Sequence, residues 1–144
     1  MLLRYLSRSY MRWNFLFAAI VLASGSLYGQ NLVGCKYEQI RQYMKENHRD
    51  MNYSPVVNNK YKYLKYTDDY DSKTFLFFLN QDSVCKSVRL ICDRGSKSEK
   101  EKEFNSLYEK NGENKWISRR DGKSYNIEMK NEEWSCVITI EPGK

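Results

Sequence analysis

Apolar residues recur along this chain at two spacings. Over residues 36–47, Tyr37, Ile40 and Met44 fall at i, i+3 and i+7 with Tyr43 beside them, the stripe of an amphipathic helix. Over Ser98–Lys110, Phe104, Leu107 and Tyr108 form a second stripe. Ser98 is placed to cap this helix, acids crowd its first turns, and Asn111-Gly112 ends it. Elsewhere the period is two, and it predicts six strands: Tyr61–Tyr66, Thr74–Leu79, Val84–Cys92, Lys115–Arg119, Ser124–Lys130 and Trp134–Glu141. Within the third, alternation puts Val84, Val88, Leu90 and Cys92 on one face and Cys85, Ser87, Arg89 and Ile91 on the other. Turns are read at Asp68–Ser72, at Asn80–Ser83 and at Asp121-Gly122, the last a strong hairpin signal. Residues 48–60, with Pro55, read as a polar loop.

The order helix, three strands, helix, three strands invites a search for a repeat. Sliding the chain by fifty residues aligns the second and third strands of each half without a gap. Phe77 meets Ile127, Leu79 meets Met129, Val88 meets Ile138 and Leu90 meets Ile140. The expected fold class is therefore α+β, with two αβββ repeats (residues 34–93 and 97–141) forming one antiparallel sheet and both helices on one face. A single unit of this size cannot cover its own sheet. Two joined units leave the face opposite the helices open, and an open face bearing aromatics is a docking surface.

The N-terminal residues change the picture of where this happens. Arg4, Arg8 and Arg12 precede the apolar run Phe15–Ala23, and Ser24-Gly25-Ser26 and Leu27-Tyr28-Gly29-Gln30 follow it. Charge, a short apolar stretch and then small residues is the order of a secretory signal. The apolar run, roughly nine residues, is far short of the ~20 that span a bilayer as a helix. Residues 1–29 are expected to be a cleaved signal peptide, with Met1 or Met11 as the start, and residues 30–144 a single periplasmic or secreted domain. A competing reading takes Leu32-Val33-Gly34-Cys35 as a lipobox, which would make Cys35 a lipidated N-terminus. Polar Ser24–Asn31 separate that motif from the apolar run.

The formal net charge of +6 for the whole chain falls to +3 once the three leader arginines are gone. That is too little for a nucleic-acid partner, and no stripe of Lys and Arg lies along either helix. Four cysteines remain, Cys35, Cys85, Cys92 and Cys136. In an oxidising compartment an even number permits disulfides, and spacing does not choose among three pairings. Cys92 and Cys136 fall on the apolar faces of corresponding strands and Cys35 opens the helix above them. Either Cys35 or Cys136 is the candidate partner of Cys92, Cys85 on the opposite face reads as a free thiol, and buried thiols acting as small hydrophobes are an equal reading to any bridge. No CxxC is present and there is one histidine, so neither a redox motif nor a structural zinc site is expected.

No catalytic or cofactor-binding constellation stands out. His48, just past the first helix, is expected as a solvent-exposed helix-end residue favoured by the dipole. As a general base it would need Ser54 or Asp50 brought to it. Asp68, Asp69 and Asp71 lack the spacing of a calcium loop and read as a turn. Asp82-Ser83-Val84 has the form of a bacterial O-glycosylation acceptor. Tyr53, Tyr61, Tyr63, Tyr66 and Tyr70 crowd about the first strand. Tyr61 and Tyr63, with Trp116 at the matching place in the second half, are the candidate exposed aromatic patch.

Gly34-Cys35-Lys36-Tyr37-Glu38-Gln39-Ile40, Tyr63-Leu64-Lys65-Tyr66, Val88–Asp93 and Gly122–Tyr125 together resemble a family of small periplasmic proteins of Bacteroidota-type bacteria. The family lends no activity to carry over. The tandem αβββ arrangement resembles that of beta-lactamase inhibitory proteins, which bind a partner across the sheet. That likeness is architectural and carries no function; the open sheet face is what points to a non-enzymatic binding module, with another envelope or secreted protein as its expected partner. Contact with the membrane is expected only through lipid on Cys35. An envelope component anchored there is the alternative, and a small hydrolase built on His48 a further one.

Overall fold

A computed structural model describes residues 32–56 and 60–144; the expected leader and its two possible start sites lie outside the described residues. Helix α1 (Tyr37–Asn47) is followed by strands β1 (Met51–Ser54), β2 (Tyr63–Asp68), β3 (Lys73–Leu79) and β4 (Cys85–Asp93). A 3-10 turn over Arg94–Ser96 leads into α2 (Lys97–Leu107), then β5 (Glu109–Lys110), β6 (Lys115–Arg120), β7 (Lys123–Asn131) and β8 (Ser135–Pro142). The strands form one antiparallel sheet in the order β1-β2-β3-β4-β8-β7-β6-β5. The chain is α+β, and the two halves meet where β4 pairs with β8.

Alternation along each strand turns one face into the core. A single row crosses six strands through directly paired residues: Leu64, Phe77, Val88, Ile140, Ile127 and Trp116. Every member of that row is at most 5% exposed. Ile40 and Met44 of α1 and Phe104 of α2 belong to the same buried cluster. α1 starts where the Gln39 side-chain oxygen accepts the Lys36 backbone N–H at 2.8 Å, one of the donors that a helix start leaves without an intrahelical partner.

Three local readings change. Residues 51–54, expected as loop, form the edge strand β1 with only Met51 buried, too short for an alternation to show. α2 ends at Leu107, with the Tyr108 N–H closing on the Phe104 carbonyl at 2.9 Å. Glu109 and Lys110 then pair with β6 rather than extending the helix, and Leu107 is 50% exposed instead of joining the apolar stripe. In the β3–β4 hairpin, Phe78 pairs with Ser87 but Leu79 pairs with Cys85, so Lys86 is an extra residue. Such a bulge shifts the phase of alternation. Cys85 therefore turns into the core and is 2% exposed, where simple period two puts it on the opposite face.

The Asp121-Gly122 turn has φ of 51° and 72° at its two residues. Two left-handed positions are what a two-residue type I′ hairpin needs, and the Asp-Gly pair supplies them. The hairpins of the two halves are offset from the fifty-residue slide. Phe77 pairs with Val88, whereas Ile127 pairs with Ile140 and not with Ile138.

Candidate functional site

Opposite the buried face, the sheet carries Tyr63, Leu76, Phe78, Ile91, Val137 and Ile117, each partly exposed. Its two ends differ. Toward β6 and β7 the face is charged and self-paired, Glu128 meeting Lys115 and Lys130 at 3.5 Å each. Toward β2–β4 it is aromatic. The rings of Tyr63 and Phe78, direct partners across β2 and β3, are 5.7 Å apart, and the Arg89 guanidinium lies 5.3 Å from the Phe78 centroid. Tyr61, 51% exposed, joins Phe78, Lys86, Ser87, Arg89, Glu141 and Pro142 around a shallow hollow of ≈ 450 Å³. The Lys86 bulge that turns Cys85 inward also stands Lys86 at the rim of this hollow.

Of the three aromatics expected in an exposed patch, Tyr61 and Tyr63 lie on this surface and Trp116 does not. Trp116 is 1% exposed, faces the helices, donates its indole N–H to Asn105 Oδ1 at 2.9 Å and meets Phe104 edge-on at 5.3 Å. Alternation within β6 puts Trp116 and Ser118 on the core side, and Ile117 on the open face. The aromatic that completes the patch is Phe78. A strongly apolar strand hides it, since Phe75, Phe77 and Phe78 differ only in parity.

A second concavity, ≈ 850 Å³, runs between α1 and the sheet edge. Arg41 stands there with its guanidinium 5.7 Å from the Tyr37 ring and 5.3 Å from the Tyr53 ring. Tyr53 and Tyr66 pack 5.5 Å apart. Burial pushes the Tyr66 phenol up against the opposing pull of Arg41. His48 lines the inner end. It is 7% exposed, not a solvated helix end, and sits between the rings of Tyr43 and Phe75 at 5.8 and 5.6 Å. Burial, reinforced by Lys73, holds its pKa below 6.5, with Asp50 acting weakly the other way. A core histidine kept neutral in this way packs α1 on the sheet.

The Asp68 carboxylate accepts the Ser72 hydroxyl and the Lys73 N–H, the latter at 3.0 Å, and closes the β2–β3 turn. These bonds hold its pKa below the usual carboxylate value. Asp69 accepts from the Asn52 amide at 2.6 Å. Ser83, in the proposed acceptor triplet, is at a left-handed hairpin position and receives the Lys62 ammonium. The cysteines fall on the core side: Cys85, Cys92 and Cys136 are buried and Cys35 is half-buried.

No family model matches the chain, and no curated protein or solved structure matches it either.

Proposed function

We propose that this chain is an exported, non-enzymatic binding module of the periplasm, which holds a protein partner against the aromatic end of its open sheet face. One observation carries the reading: Tyr61, Tyr63 and Phe78 lie together on a face into which neither helix puts its buried side chains, beside Lys86 and Arg89. Aromatic and arginine side chains are the residues that dominate binding energy at interfaces. Lys86 and Arg89 outnumber Glu141 around the hollow, and Lys65 stands on the same row as Arg89 through Leu76, which favours a partner surface carrying carboxylates.

The twofold recurrence of a helix and a strand meander supports an internal duplication, with both helices on one side; each half carries four strands where three were expected. Arg89 and Thr139, fifty residues apart, stand directly opposite each other across the joint. In this reading the chain is a small periplasmic protein of the Bacteroidota-type family, its leader ends near Gly29, and its sheet binds as the sheet of a beta-lactamase inhibitory protein does. Anchoring by lipid on Cys35 is the less favoured alternative. Leu32 is 4% exposed in the core and the Gly34 N–H donates to the Cys85 carbonyl at 2.8 Å. Cleavage before Cys35 removes both contacts.

The test compares affinity-tagged protein recovered from the periplasm of its host with a variant carrying Y61S, Y63S and F78S. The wild type is expected to retain a defined partner that the variant releases, with retention weakening as salt is raised. Equal retention by both proteins overturns the proposal.

A further inference from the structure

The topology gathers the four cysteines two by two, in a pairing that spacing along the chain does not reveal. Cys92 and Cys136, 44 positions apart, are direct partners in the β4–β8 ladder, and the Cys92 Sγ lies 3.5 Å from the Cys136 carbonyl oxygen. Directly opposed residues of an antiparallel pair have Cα atoms about 4.5–5.5 Å apart. A disulfide accepts roughly 4.4–6.8 Å. Cys35 and Cys85 are also brought together, though not as a ladder pair. Beside the isolated antiparallel bridge between Lys36 and Val84, the Cys85 N–H donates to the Cys35 carbonyl and the Gly34 N–H to the Cys85 carbonyl, both at 2.8 Å. Cys85 reaches this position only through the Lys86 bulge.

We infer that the exported protein carries two disulfides, Cys35–Cys85 and Cys92–Cys136. This rests on the export reading, because the oxidant is a disulfide-bearing oxidoreductase of an oxidising compartment. In each exchange a cysteine thiolate attacks the oxidant's S–S bond and forms a mixed disulfide. The second cysteine then displaces the oxidant's remaining sulfur. One S–S bond forms in the chain and one breaks in the oxidant, which leaves as a dithiol carrying both protons. Burial pushes the Cys85 thiol up to about 12 and the Cys92 thiol up to about 11. A raised thiol carries little thiolate near neutral pH, which slows exchange at these buried positions.

The bridges do different work. Cys92–Cys136 staples the two halves at their only strand-to-strand seam among the described residues. Cys35–Cys85 ties the segment ahead of α1 to β4. It also uses the sulfur that lipidation requires, so a Cys35–Cys85 bridge and a lipid on Cys35 exclude one another.

The test is peptide mapping of protein purified from its host, thiol-alkylated before any reduction. The expected result is a mass four hydrogens below the reduced form, with Cys35 peptides joined to Cys85 and Cys92 peptides to Cys136. Crossed pairs overturn the inference. Where the host material is fully alkylated, the same protein is reduced, unfolded and refolded with oxidised glutathione. Formation of the two stated pairs there locates the failure in the export reading; their absence locates it in the geometry. A doubly substituted C92S/C136S chain still forms Cys35–Cys85 on refolding, and its failure to do so also overturns the inference.

Discussion

Truncation of Trp116 separates the two faces of the sheet energetically. Its indole is 1% exposed, packs edge-on against Phe104 and donates a hydrogen bond to Asn105, two residues that belong to α2. α2 has little else to hold it, since Phe104 is its one buried residue. Removing a buried tryptophan costs about 3–5 kcal/mol, and an amide oxygen left without its donor adds roughly 1 kcal/mol. Trp116→Ala should therefore destabilise the domain by about 4–6 kcal/mol, a large share of the 5–15 kcal/mol typical of a domain. Phe78→Ala, on the open face, removes cross-strand contacts with Tyr63 and should cost about 1 kcal/mol or less. The assay is guanidinium unfolding followed by circular dichroism, comparing midpoints at constant slope. In a Trp134→Phe background Trp116 is the sole indole of the expected mature domain, Trp13 lying in the leader, and its emission should be that of a dry site. A cost below about 1 kcal/mol for Trp116→Ala, with solvent-like emission, would refute this placement and return Trp116 to the exposed patch.

Because burial holds the folded-state pKa of His48 below 6.5, proton uptake favours the unfolded chain. Stability should be flat in this residue's contribution above pH 6.5, fall as pH drops below that value, and level off beneath the folded-state pKa. His48→Leu should flatten that step, and identical pH–stability slopes for the two proteins would sink the assignment. In a C35S/C85S background, opening the inferred Cys92–Cys136 bridge with reductant should lower unfolding stability by about 4 kcal/mol, from the chain entropy of a loop closed over 44 positions; denaturation with and without dithiothreitol measures it, and no change contradicts it. Gly122→Ala should cost about 1 kcal/mol, since a Cβ strains at its φ of 72° although space is open around it; thermal unfolding reads the difference, and a neutral result would mean the turn is not type I′.

Much of the fold is legible because long periodic stretches leave little choice. Phe75 and Phe77, Val88 and Leu90, and Ile138 and Ile140 alternate strongly enough to fix the core faces of β3, β4 and β8. What stays hidden has physical causes of short range. β1 carries one buried residue in four, and β5 has two exposed residues, so neither writes a pattern. The Lys86 bulge moves Cys85 across the sheet with no glycine or proline to announce it. Tryptophan in a strand reads as interface or core with equal ease, and only parity against Ser118 distinguishes them. Phe78 was lost among its apolar neighbours for the same reason. His48 reads as an exposed helix end because nothing local records that Phe75, far along the chain, packs against it.

The central claim is that the aromatic end of the open face holds a partner. Its most direct test is a photo-crosslinking scan in the living host. A benzophenone amino acid is placed at Phe78 or Arg89 on the open face, and at Glu46 or Lys102, exposed positions on the two helices. The account predicts a discrete covalent adduct from Phe78 and Arg89 and none from Glu46 and Lys102. Adducts confined to the helix positions would contradict it.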